Sequence, residues 1–127
     1  MAISVRSEGE TATVFATDYL NKLSGEMIER ECKRQLEAGC KTLVVNFSET
    51  EIVNSIGVSI LLGVIDAASN SEASVVFSEV NAETIELFEM LGLTNHVMVM
   101  SQEERVKRNE SNHRLLLLTL DSQLSTS

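Results

Sequence analysis

Proline and tryptophan are absent, histidine and cysteine occur twice each, and acidic residues outnumber basic ones almost two to one. Each shortage removes a class of explanation. Without proline, internal repeats or low-complexity stretches, nothing reads as a linker, and 127 residues suit one compact domain with a real core. Cys32 and Cys40 form no C-x-x-C pair and have no flanking histidine. They read as reduced thiols of a cytoplasmic protein, not as a metal or disulfide framework. Ten Lys and Arg against nineteen Asp and Glu leave a net charge of −9. That balance argues against nucleic acid and against an anionic membrane surface, both of which are bound by Lys and Arg patches. It fits a partner with a basic face, or serves only solubility. No apolar run approaches the ~20 residues of a membrane span, and MAISVRSEGE has no signal-peptide core.

Catalytic constellations are missing too. His96 follows the Leu91-Gly92-Leu93 turn and His113 lies near the C-terminus, neither beside a nucleophile. No G-x-S-x-G surrounds Ser55, and Gly57 and Gly63 match neither G-x-G-x-x-G nor G-x-x-x-x-G-K. Glu49, Glu51 and Asp66 flank the same region and read as solvent-facing charges. No His/Cys cluster supports a metal. The chain is therefore not expected to be an enzyme. A receiver domain, the nearest α/β rival, needs an aspartate at the end of a central strand, where this chain has Asn46-Phe47.

What is present is a regular succession of strands and helices. Met1–Ser7 and Thr11–Thr17 alternate around a Glu8-Gly9-Glu10 turn and predict a β-hairpin. Leu23, Met27, Ile28, Cys32 and Leu36 form a helical stripe, with Ser24 as expected N-cap and Gly39 at C′. Glu26–Arg30 and Glu29–Lys33 are i,i+4 pairs on its outer side. Thr42–Phe47 reads as a strand covered on both faces. A loop leads to a helix opening at Asn54-Ser55-Ile56-Gly57, with Leu61, Val64, Ile65 and Ala68 on its stripe. Val58 and Leu62 lie off that stripe and, if exposed, would form a contact surface.

Ala73–Ser78 predicts a further strand. Asn81 caps a helix with Ile85, Phe88 and Leu91 on its stripe, ended by Gly92, and Val97–Met100 a last strand. Ser101 and Glu104 read as a capping box for a helix to about Arg108. Beyond it, Leu115–Leu120 is strongly apolar between polar flanks. It suits an extra strand, a helix continuing through Val106, His113, Leu117, Leu120 and Leu124, or a partner-binding tail. The expected architecture is α/β: a mixed sheet of about five strands with about four helices mainly on one face. Residues 1–108 form the domain and 109–127 a helical or disordered extension.

A serine at a helix start is usually a cap, but the same place favours a phosphate through free N–H groups and the helix dipole. Asn46-Phe47, Ile52-Val53-Asn54-Ser55-Ile56-Gly57 and Leu61-Leu62, followed by Val80-Asn81 and Leu87-Phe88-Glu89-Met90-Leu91-Gly92-Leu93, resemble the STAS domain. That domain occurs in bacterial anti-sigma factor antagonists, sulfate transporters and stressosome proteins, and the resemblance covers about residues 2 to 108. It implies a regulatory module that, unphosphorylated, binds an anti-sigma factor which is also an ATP-dependent serine kinase. Phosphorylation ends the binding and a phosphatase restores it. Carried over by motif, the acceptor is Ser55, and the partner-binding set is Asn21, Asn54, Ser55, Ile56, Gly57 and Val58. Gly57 would keep the backbone open for close approach. The family pattern Asp-Ser-Ser/Thr-Gly here reads Asn54-Ser55-Ile56-Gly57, and its Glu-Leu-Asp reads Tyr19-Leu20-Asn21. Two acids have become amides, which also admits a non-phosphorylated scaffold, dimeric or docking through the hairpin and the Ser55 helix.

Overall fold

The computed structural model describes residues 3–95 and 97–101. β1 (Val5–Glu8) and β2 (Thr11–Phe15) form the opening hairpin, with Gly9 at φ +59° in its turn. β3 (Tyr19–Leu20) leads into α1 (Lys22–Glu37), then come β4 (Thr42–Asn46) and β5 (Ile52–Val53). α2 (Ser55–Asn70), β6 (Ser74–Val80), α3 (Ala82–Met90), a 3-10 turn (Leu93–Asn95) and β7 (Met98–Ser101) complete the order. The main sheet runs β1-β2-β4-β6-β7, with β1 antiparallel to β2 and the other neighbours parallel. Each parallel step is made by a helical crossover, the connection that parallel strands require.

Strand parity decides what is buried. Ala12, Val14, Leu43, Val45 and Phe77 share one face and join Ile28, Cys32 and Leu36 of α1, Val58, Leu61, Val64 and Ala68 of α2, and Phe88 of α3 in a single core. All three described helices therefore lie on that side. Phe47, Phe77 and Phe88 stack at centroid separations of 5.5–5.7 Å in tilted and edge-on arrangements that favour aromatic pairs. The opposite face behaves differently. Val44 of β4 is only half-buried, so the expected cover on both faces is not provided by the described helices.

Several local expectations change. α1 is capped by Asn21, not Ser24, because Asn21 has the extended backbone an N-cap needs and Ser24 is already the third helical residue. The two close a reciprocal capping box: the Ser24 N–H donates to Asn21 Oδ1 and the Asn21 N–H to Ser24 Oγ, both at 2.9 Å. Leu23 is exposed rather than part of the buried stripe, since the cap fixes the rotation of the first turn and turns Ser24 and Gly25 inward. Glu29 pairs with Lys33 as expected, but Glu26 pairs with Lys22, not Arg30. The loop before α2 contains β5, which pairs in parallel with β3 to make a second, two-stranded sheet. Leu91 lies outside the α3 stripe as its C-cap and is exposed, while Gly92 takes the left-handed φ of +80° expected after it. The fourth helix, His96, His113 and the extension 109–127 lie outside the described residues.

The cysteines have a chemical consequence. Burial, then neighbouring Cys40, Glu31 and Glu29, push the Cys32 thiol up to about 12, and burial also raises Cys40. Only the thiolate reacts readily. At pH 8 a maleimide is expected to label half-buried Cys40 first and Cys32 only after unfolding; simultaneous labelling would contradict this burial. The linkage sign follows: above the unfolded thiol's pKa of ~8.5 the unfolded chain loses the proton that folded Cys32 keeps. Stability therefore falls as pH rises from about 9 towards 12.

Candidate functional site

Three helices begin at the carboxyl ends of the parallel strands, and each is capped by an asparagine: Asn21, Asn54 and Asn81. This edge of an open parallel sheet is where ligands and partners usually meet such folds. The β3–β5 ladder brings the first two caps together. Tyr19 is opposite Ile52, Leu20 is opposite Val53, and the Asn54 N–H continues the ladder to the Leu20 carbonyl at 2.8 Å. The first turns of α1 and α2 consequently start side by side, and Gly25 and Gly57 allow them to touch. A Cβ on Gly25 would lie 3.3 Å from the Gly57 carbonyl oxygen. A Cβ on Gly57 would lie 2.8 Å from the Leu20 oxygen and 2.9 Å from the Asn21 oxygen, closer than side-chain carbons come.

Ser55 is not the cap. Asn54 Oδ1 accepts from the Ile56 N–H at 2.8 Å and the Gly57 N–H at 3.2 Å, so the capping duty is filled one residue earlier. Ser55 is the first helical residue, it is exposed, and its hydroxyl has no hydrogen-bond partner among the described residues. Neither α1 nor α2 carries an acidic residue in its first turn. No acid in either first turn opposes negative charge there, and the helix dipole favours it.

The structure sorts the remaining sequence candidates. Ile56 is 54% exposed beside Ser55, whereas Val58 is fully buried in the core and presents no surface to a partner. Gly57 is buried as well and shapes the helix contact. Asn21 and Asn54 are half-buried with their side-chain oxygens engaged in caps. Of the off-stripe pair on α2, Leu62 alone is exposed. Sequence reasoning missed Tyr19, Leu23 and Ile52, which are exposed apolar residues on the elements that carry Ser55 and its neighbours. Two-residue strands are too short to show an alternation, so no periodicity marked Tyr19 or Ile52. It also missed Thr50, whose buried hydroxyl donates to the Thr17 carbonyl at 2.6 Å and so holds the loop that delivers β5.

An Asn cap serves as well as an Asp cap, which accounts structurally for both amides. Asn54→Ala is expected to cost about 1 kcal/mol by freeing two N–H groups. Asn54→Asp is expected to keep the cap and gain about 0.3–1 kcal/mol from the dipole. Thermal unfolding of the two variants checks both signs.

Glu49, Glu51 and Asp66 are exposed, and no group of three or more potential metal ligands occurs among the described residues. No described helix is long and apolar enough to cross a membrane. A hollow of about 610 Å³ lies by the amino-terminal end of β6, between Ile65, Ser74, Val76, Thr94 and Met98. It is lined without a titratable side chain and away from Ser55.

Comparison with known proteins agrees with this architecture. No curated protein sequence gives a significant match. The anti-sigma factor antagonist SpoIIAA in its unphosphorylated form is 19% identical with a TM-score of 0.66, covering 87% of this chain and 97% of its own. The phosphorylated form of this Bacillus cell fate determinant gives 19% and 0.62, with 84% and 98% covered. An anti-sigma factor antagonist from Mycobacterium paratuberculosis gives 14% and 0.67, with 78% and 84% covered. At these identities the likeness concerns the fold. The family model of the STAS domain matches residues 3–113, and the chain belongs to the STAS domain family.

Proposed function

We propose that this STAS domain is a regulatory protein-binding module of the anti-sigma factor antagonist type, switched by phosphorylation of Ser55. The observation that carries the reading is a free, exposed serine hydroxyl at the first position of α2, amid exposed apolar side chains and relieved of capping by Asn54. Tyr19 and Ile52, side by side across the β3–β5 ladder, and Ile56 next to the acceptor supply apolar area for a partner. A phosphate on Ser55 adds about −1.5 to −2 charge next to Ile56. A partner covering it must then desolvate the charge, while the fold tolerates it at a helix N-terminus.

The implied partners are an anti-sigma factor that is also a serine kinase, and a phosphatase. SpoIIAA, with the same fold, exists in unphosphorylated and phosphorylated forms. Incubation with such a kinase and ATP, followed by mass mapping, is expected to place one phosphate on Ser55. A phosphate elsewhere, or none with the kinase that the protein captures, would refute the switch.

A second reading is favoured by one observation: positions 21 and 54 hold amides, both engaged in caps, so neither offers a carboxylate to assist transfer to the hydroxyl. On that reading the same apolar area docks permanently, within a cytoplasmic scaffold or homodimer. Asn54→Asp separates the two readings, because a faster phosphorylation rate would identify the amide as a handicap in a working switch.

A further inference from the structure

The edge that carries Ser55 rests on a very short ladder. β3 and β5 pair over two residues each, Tyr19 with Ile52 and Leu20 with Val53. So short a pairing fixes its own register weakly, and a slip of one residue would turn Ile52 to the other face, away from Tyr19. The register must therefore be held from outside the ladder.

Consecutive carbonyls of the segment before α1 are taken by donors from other segments. The Asp18 oxygen accepts from the Glu51 N–H at 2.8 Å and the Ile52 N–H at 3.1 Å, and the Leu20 oxygen accepts from the Asn54 N–H at 2.8 Å. The Tyr19 oxygen accepts from the Ser24 hydroxyl at 2.7 Å. The Thr17 oxygen accepts from the Thr50 hydroxyl at 2.6 Å. Among these donors from residues 50–54, Thr50 Oγ1 alone belongs to a side chain. Backbone N–H groups recur at every residue here and serve a slipped pairing as readily as the native one. The hydroxyl occurs once and fits one register.

Thr50 is itself held from behind. It is 4% exposed, its N–H donates to the Phe47 carbonyl at 3.0 Å, and its carbonyl accepts from Asn81 Nδ2 at 3.4 Å. Asn81 Oδ1 meanwhile caps α3 by accepting from the Thr84 N–H at 2.8 Å. One buried threonine thus joins the loops that precede β3, β5 and α3, and Phe47 connects it to the aromatic core.

We infer that Thr50 is the positioning residue of the Ser55 edge. Its hydroxyl sets the register in which Tyr19, Ile52 and Ser55 are presented together, and Asn81 ties that register to the start of α3. The role deepens, and rests on, the reading of this edge as a docking and phosphoryl-acceptor surface. Thr50 acts through β5 and not on the acceptor itself.

The test is amide hydrogen exchange on the full chain, comparing Ile52 and Asn54 at the edge with Val45 and Val64 in the core. Thr50→Val keeps the shape of the side chain and removes the donor. Exchange at Ile52 and Asn54 is expected to quicken about tenfold relative to Val45 and Val64. Thr50→Ser, which restores the hydroxyl, is expected to return both to within about twofold of the native rates. Asn81→Asp keeps the cap, so the Thr84 amide stays protected, but loses the Nδ2 donor and is expected to quicken Ile52 about threefold. Equal acceleration at all four amides, or no rescue by serine, would make Thr50 an ordinary stabilising residue and overturn the proposal. An unchanged Ile52 in Asn81→Asp would overturn the tie to α3, and that variant keeps the test open if Thr50→Val does not fold. With a serine kinase that phosphorylates the native chain at Ser55, the initial rate is expected to fall about tenfold in Thr50→Val and to recover in Thr50→Ser; equal rates would also overturn the role. The exchange readout needs no kinase, so a native chain that no kinase phosphorylates refutes the switch without deciding the register.

Discussion

Gly57→Ala is expected to lower the thermal midpoint by about 10 °C, although it adds one methyl group to a helix and removes a poor helix former. The ordinary effect of this exchange in a helix is a gain of up to about 1 kcal/mol. Here the new Cβ would stand 2.8 Å from the Leu20 oxygen and 2.9 Å from the Asn21 oxygen, both backbone atoms. Neither is free to retreat. The Leu20 oxygen accepts from the Asn54 N–H at 2.8 Å, and the Asn21 oxygen accepts from the Gly25 N–H at 2.8 Å. Relief of the clash must stretch the ladder that delivers one cap or the first turn of α1.

Overpacking of this kind costs about 1–3 kcal/mol, and the fixed backbone places Gly57 at the upper end. For a chain of this size that is a fall of about 10 °C. Gly63 is the control, because its added Cβ meets only the Glu29 carboxylate, the movable end of a side chain. Gly63→Ala is expected to be neutral or slightly stabilising. Equal stabilities for the two variants would show that the close contact of α1 and α2 has been misjudged.

The second large effect concerns binding rather than folding. Ser55→Asp is expected to weaken the complex with the proposed anti-sigma partner at least tenfold, about 1.4 kcal/mol, while Ser55→Ala is expected to bind as the native protein does. The folded chain should hardly notice either change. Ser55 is exposed, its hydroxyl is bonded to no described residue, and an acid in the first turn of α2 gains about 0.3–1 kcal/mol from the dipole. Calorimetric titration together with a thermal melt reads both quantities from the same samples. Equal affinities of the Asp and Ala variants would remove the electrostatic switch and leave the permanent scaffold. A collapse of the melt in Ser55→Asp would show instead that the first turn of α2 cannot hold charge.

The alternation of strand and helix was legible because its signals are local. Gly9, Gly39 and Gly92 mark a hairpin and two helix ends, and all three take the positive φ that makes glycine informative there. Asn81 and the Ile85–Phe88 spacing likewise placed α3. Ser55 was legible as the start of α2, but its task was not. Whether serine or asparagine caps a helix depends on which residue adopts the extended backbone, and that was decided by the β3–β5 ladder. The same ladder turned Leu23 outward and made Tyr19 and Ile52 neighbours. Val58, off the stripe by periodicity, is buried because α2 packs against both the sheet and α1, which enlarges the covered part of its circumference.

Composition and periodicity by themselves determined the class of chain, the order of its main elements and the helix at whose mouth Ser55 stands, because each depends on residues within a few positions. Tertiary structure alone decided that two helix starts share one edge through a glycine contact and that asparagine relieves Ser55 of capping. Those are properties of segments about thirty residues apart in the chain brought together by parallel pairing, and no local pattern encodes which of them will touch.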